Sequence, residues 1–287
     1  MPNPEEIKTL VSQIADPNKN GTYANLNQAD IEQMDKVIAQ LASGGRDAVL
    51  GLIDLLVEPG KGDDAKAHFA LHLWAIQVTQ KGNEQARAEF ARAVASQIGS
   101  ARPKGVQTYL IQELQLVGDK EATEALGKAL LDPDLCDAAA RALAAIGEGA
   151  AEQLLAALPK VQGRGRVSVI EKLAVLRAPQ AAAAFKQALD EPEADVRIAA
   201  AWGIARIADA GAADALLKCA ETRQGWERIN ETDACMALAE ALTAAGKKGE
   251  AATIYARLQK TRTEACERHI REAAERGLAG HLRAARF

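Results

Sequence analysis

The chain has 287 residues, 48% of them hydrophobic and only 3% aromatic, with a net charge of −4. That mild acidic balance argues against a dedicated nucleic-acid binder, which carries a basic surplus, and no apolar run is long enough to span a bilayer. Abundant alanine with few aromatic or β-branched residues points to closely stacked helices and not to a sheet.

The N-terminal stretch MPNPEEIKTLV lacks a basic and then apolar leader, so a cytoplasmic location is the default expectation; a processed or excised segment of an exported protein would read the same way. Residues 5–15 and 28–43 are expected to form two capping helices joined by DPNKNGTYANLN. Together they make a cap over residues 1–44, needed because a terminal repeat would otherwise expose its apolar face. Residues 45–287 are expected to continue from it as one elongated array. Within the cap, Asp16-Pro17-Asn18-Lys19-Asn20-Gly21 imitates the opening of a calcium loop. Its twelfth position is Asn27, not the closing Glu, so an Asx/Gly turn is expected there.

Next comes HFALHLWAI at 68–76, which sets His68 and His72 four residues apart on a helix. Two such rings can share a metal ion, yet no third ligand follows at helical spacing and the motif is not HExxH. Their columns align with Ala199 and Gly203, which predicts satisfied interior histidines. From here a phrase recurs. DLCDAAARALAAIG at 134–147 and DVRIAAAWGIARIA at 195–208 share one register, and DACMALAEALTAAG at 233–246 and IREAAERGL at 270–278 repeat the frame. Self-similarity at a period of a few tens of residues marks a solenoid.

A Leu/Ile anchor falls at Leu73, Leu114, Leu143, Leu173, Ile204, Leu242 and Leu278, which predicts about seven helix pairs. Each is a helix A, a tight turn such as Asp132-Pro133 or Glu191-Pro192, and a helix B. Small residues (Gly118, Gly147, Ala208, Gly246) close several B helices. GRGR at 163–166 reads as a link between helices, and ETRQGWERINET at 221–232 as an insertion loop pinned by Trp226. The four cysteines, Cys136, Cys219, Cys235 and Cys266, show no CxxC spacing and read as partly buried thiols of a reducing compartment.

These units resemble HEAT repeats, in the short bacterial form also found in phycobilin-lyase-like proteins. Asp195-Val196-Arg197 opening a B helix, Ala199-Ala200, Ile204 and Ile207 carry the likeness, which extends over roughly residues 45–282. The resemblance implies an all-α fold, an α-solenoid (α–α superhelix). It also implies a structural ladder in which Asp195, Arg197, Arg166 and Arg271 tie neighbouring turns together through charge-assisted bonds.

The B-helix column Leu71, Gln112, Arg141, Glu171, Trp202, Glu240, Arg276 is mostly polar and is expected to face solvent on the inner surface. Trp202, with Ile198 one turn earlier and Arg206 one turn later, has the composition of an interface hot spot. Arg141, Glu171 and Glu240 extend this candidate partner-binding set along the column. The competing reading lays Trp202 across an alanine-rich neighbour as packing. No catalytic constellation is present, and no His is followed by Glu as in the HEAT-fold iron hydroxylases. The expected function is therefore a non-catalytic scaffold or adaptor that binds a protein partner or an adjacent domain on its concave B-helix face. No cofactor, metal, nucleic acid or membrane is expected, and the oligomeric state stays open. The alternative is a HEAT-fold enzyme, bilin lyase-like or DNA-glycosylase-like.

Overall fold

The computed structural model describes residues 3–18, 23, 24 and 26–284. Sixteen α-helices and several short 3-10 turns make up the described residues, with no strand among them. Two helices come first. α1 (Pro4–Ser12) starts on Asn3, whose side chain accepts from Glu6 N, and α2 (Gln28–Ser43) starts on Asn27, which accepts from Asp30 N. Both are reciprocal capping boxes. Asn27 thus caps a helix, while Lys19, Asn20 and Gly21 of the calcium-like loop lie outside the described residues.

Seven pairs follow in sequence: α3 (Gly45–Ile53) with α4 (Ala65–Val78), α5 (Glu84–Ala95) with α6 (Lys104–Val117), α7 (Thr123–Ala129) with α8 (Cys136–Ile146), α9 (Ala150–Ala157) with α10 (Gly163–Val175), α11 (Ala182–Ala188) with α12 (Ala194–Arg206), α13 (Ala213–Thr222) with α14 (Gly225–Ala244), and α15 (Lys248–Thr261) with α16 (Arg268–Ala284). The chain divides into two compact units, Met1–Ala157 and Leu158–Phe287. In the first, α1 and α2 pack on α3 and α4, and the B helices α4, α6 and α8 stack in order. In the second, α10, α12 and α14 stack in order, and α11, α13 and α15 pack on α12, α14 and α16. Stacking each hairpin only on its neighbours is the α-solenoid arrangement.

The anchors explain why the stack is closed. Leu114, Leu143, Leu173, Ile204 and Leu242 are fully buried. Their carbonyls also help end the helices. Ala178 N–H donates to Leu173 O, Asp209 N–H to Ile204 O and Lys247 N–H to Leu242 O, which closes each B helix with a Schellman turn. The residue four past each of these anchors is left-handed: Arg177 (φ 50°), Ala208 (φ 53°) and Gly246 (φ 78°). Three of the four cysteines are buried and Cys266 is exposed.

Two anchors behave differently. Leu278 is half-buried, because α16 has no following helix among the described residues. Leu73 is also half-buried, since α4 turns Ala67, Leu71, Ala75 and Val78 to the core instead. The first repeat is out of register with the others, so columns read from them do not transfer to α4. The expected insertion loop is also corrected. Residues 225–232 are the first two turns of α14, and Trp226 is 70% exposed, so it pins nothing. Gln224-Gly225 starts α14 as Gln162-Gly163 starts α10, with identical backbone angles at the two glutamines and a left-handed glycine after each.

Candidate functional site: a two-tryptophan groove

The second unit carries a groove of about 430 Å³ on its B-helix face. Its walls come from α10 (Glu171, Val175), α12 (Asp195, Ile198, Trp202, Arg206) and the first turns of α14 (Trp226, Asn230). Periodicity places them together: Ile198, Trp202 and Arg206 are successive i, i+4 positions on α12. Trp226 joins them because α14 begins two turns earlier than the repeat frame suggested. Trp202 is half-buried, whereas Val175 and Trp226 stand largely exposed. Asn230 Nδ2 donates to Trp226 O at 2.9 Å, tying the amide to the turn that carries the ring.

The charges of the groove are unequal in freedom. Arg206 Nε donates to Ala174 O at 3.0 Å, joining the Arg177 N–H that the same carbonyl accepts at the end of α10. Glu171 lies 3.6 Å from the ammonium of its neighbour Lys172. Asp195 is exposed and makes no hydrogen bond or ion pair among the described residues. Of the six residues expected to bind a partner, the groove gathers Glu171, Ile198, Trp202 and Arg206. Glu240 is exposed on α14 outside its lining. Arg141 belongs to the first unit, where it pairs with Asp137 at 3.1 Å. Sequence reasoning missed Trp226 and Asn230. The parallel between QGRGR and QGWER, which marks the true start of α14, was the available signal.

A ladder exists, but with other acids. Arg197 pairs through its guanidinium with Glu227 at 2.6 and 2.7 Å and donates to Glu191 O and Pro192 O. Arg166 donates to Leu158 O and pairs with Glu191. Arg228, unforeseen because of the frame error at α14, donates to Ala220 O and Glu221 O and pairs with Glu267. Arg271 donates to Arg262 O and Glu264 O. Each guanidinium covers the open carbonyls around its own hairpin turn, and the first three also reach a carboxylate of the next repeat. Asp195 is not part of it: it sits one residue outside the packed edge, toward the groove. Behind the ladder, the fully buried Arg262 donates to Ala220 O and Thr232 Oγ1 at 2.7 and 3.1 Å, and burial pulls its pKa down.

The first unit has a second concavity, about 490 Å³, built on α4 and α6. His68 and His72 line it and are not interior residues: their side chains are 31% and 48% exposed. His68 Nε2 lies 3.1 Å from Asp64, and His72 Nδ1 lies 3.1 and 3.2 Å from the two oxygens of Glu113. Glu113 is only 3% exposed, and burial pushes its carboxyl pKa up against the pull of His72. Tyr109 donates its hydroxyl to His68 O at 2.7 Å. Among the described residues no group of three or more His, Cys, Asp or Glu is arranged to hold a metal ion, and no helix is long and apolar enough to cross a membrane.

No family model and no curated protein matches the sequence. Solved structures resemble it at low identity. An engineered protein is 20% identical over 96% of this chain and 78% of its own, with a TM-score of 0.46. Kap121p, in a structure where it is bound to Nup53p, is 12% identical over 88% of this chain, with a TM-score of 0.49. This chain spans 33% of that one. Human deoxyhypusine hydroxylase, solved with glycerol, is 17% identical over 98% of this chain and 97% of its own, with a TM-score of 0.34. The fold itself rests on the order of helix stacking described above. It is a HEAT-like helical-repeat fold.

Proposed function

We propose that the protein is a non-catalytic scaffold whose second unit holds an extended segment of a partner protein, or of an adjacent domain, along the B-helix face of α10, α12 and α14. One observation carries this reading: two tryptophans from consecutive B helices, Trp202 and Trp226, line one groove, and Trp226 is 70% exposed. Tryptophan is the residue most enriched in interface hot spots. A large ring left in water has no packing role to explain it. The segment that fits presents a large apolar side chain to Val175, Ile198 and the indoles, with a basic residue beside it. Asp195 offers the counter-charge, and the indole faces offer cation–π contact. Arg206, engaged with Ala174 O, supports the wall of the groove and the end of α10 at once.

The test is a random peptide library selected on the wild-type chain and counter-selected on Trp226→Ala. Enriched peptides should share an apolar residue next to Lys or Arg. Their Kd should weaken by about 30-fold or more on Trp226→Ala, as expected for loss of ~2 kcal/mol at a hot spot. Because Trp226 is exposed, its removal should change folding stability by no more than about 0.5 kcal/mol. A selection that yields only peptides binding both forms equally would refute the reading. A visible absorbance band from a bound chromophore, or retardation of DNA on a gel, would instead support the enzymatic alternative.

A further inference from the structure

Aromatic residues make up only 3% of this chain, yet Tyr23, Phe69 and Tyr109 all line the concavity of the first unit, with two of the four histidines. The helices impose the grouping. His68, Phe69 and His72 share one face of α4, and Tyr109, Gln112 and Glu113 share one face of α6, by the i, i+3, i+4 rule. Tyr23 stacks on Phe69 with ring centroids 3.6 Å apart, and His68 meets Tyr109 edge-on at 4.1 Å. No Lys or Arg is in the lining. The nearby Lys66 is committed to Asp16 at 2.8 Å and to Ser12 O at 3.3 Å. The acid of the site is Glu113 in its wall, with Asp64 behind His68. The Tyr23 hydroxyl is buried and has no hydrogen-bond partner among the described residues.

We propose that this pocket binds the head of an organic cation, an alkylated ammonium such as that of a choline-like molecule or a methylated lysine side chain. Ring faces attract such a group through their quadrupoles, and its alkyl shell fits apolar walls that would repel a strongly hydrated ion. Glu113 supplies the charge. A carboxylate this buried is costly when, among the described residues, its one ion pair is with a half-exposed histidine, and a bound cation adds compensation. Anions are disfavoured by the same carboxylates. A bare metal ion is disfavoured because, among the described residues, fewer than three suitable ligands converge. The site lies in the first unit and owes nothing to the peptide groove of the second, so either can fail alone.

The experiment is a saturation-transfer NMR titration of the full chain with choline and with its neutral isostere 3,3-dimethylbutan-1-ol, at constant ionic strength. Choline should saturate, and the isostere should bind at least about tenfold more weakly if the charge matters. Phe69→Leu, at a half-buried position, should weaken choline by about five- to tenfold while the melting curve shows a folded protein. Glu113→Gln should weaken choline without weakening the isostere. A trimethyl-lysine peptide run alongside identifies the source: tighter than choline means a protein tail, weaker means a small molecule. Absence of saturable choline binding, equal affinity for the isostere, or unchanged binding in a folded Phe69→Leu variant would overturn the proposal.

Discussion

Gly203→Ala tests the packing that presents Trp202. Gly203 is buried on α12, and a Cβ there would sit 2.5, 2.6 and 2.7 Å from Cε1, Cδ1 and Cζ of Phe185. Phe185, on α11, is fully buried. Carbon atoms prefer separations of about 3.5–4.0 Å, so the ring and the helix must part by about 1 Å. The ring cannot swing aside, since it is held within the A–B interface of its own repeat. Three contacts this short fall in the upper part of the range for overpacking, about 2–3 kcal/mol, against a helix-propensity gain of about 1 kcal/mol for Ala over Gly. The net expectation is a loss of about 1–2 kcal/mol, or a Tm lower by roughly 2–3 °C for a chain of this size. Calorimetry should show it, and Phe185→Leu in the Gly203→Ala background should recover part of the loss relative to the two single changes. Gly249, on α15, is the control: nothing lies within 4 Å of its Cβ position, so Gly249→Ala should be neutral or stabilising. A Gly203→Ala protein that melts at or above the wild-type temperature would refute the packing argument.

Other expectations follow from local geometry. Ala208 has φ 53°, so Ala208→Gly should relieve a left-handed strain of about 1 kcal/mol, part of it offset by unfolded-state entropy, and raise Tm by a degree or two. Arg197→Met leaves Glu227 only its longer pair with Arg223 at 3.8 Å and uncovers the carbonyls of Glu191 and Pro192; a loss of about 1–3 kcal/mol in chemical denaturation is expected, with neutrality counting against the ladder. The raised pKa of Glu113 means that the folded state holds a proton the unfolded state releases. Its contribution is therefore full below the unfolded carboxyl value and lost as pH climbs toward the folded one. Glu113→Gln should gain Tm relative to wild type between pH 4 and pH 7, and an opposite trend would contradict the burial of that carboxyl.

The helix pairs were legible because an aliphatic anchor and a small residue four positions later recur along the chain. The Schellman turns show why that spacing is kept: the anchor supplies both core contact and the carbonyl that ends the helix. Arg177 was hidden because it takes the same left-handed turn without being small. The frame failed at α4, whose core face falls on Ala67, Leu71, Ala75 and Val78, and this error turned His72 inward on paper. At α14 the frame hid the helical start that carries Trp226 and Arg228. Tyr23 and the α4 residues His68 and Phe69 are far in sequence from Tyr109 and Glu113 of α6, and they meet only through the stacking of Tyr23 on Phe69 and the packing of α4 against α6, which no local pattern records.

The Arg–Glu ties of the second unit run Arg166–Glu191, Arg197–Glu227 and Arg228–Glu267, each joining one hairpin to the next and none skipping a member. The α11–α12 and α13–α14 hairpins therefore each give a guanidinium to the next member and accept one from the member before, while Arg257 of α15 reaches back to Glu221 of α13. A joint built from the same pair of groups at successive steps lets a solenoid change its number of hairpins without a new kind of contact.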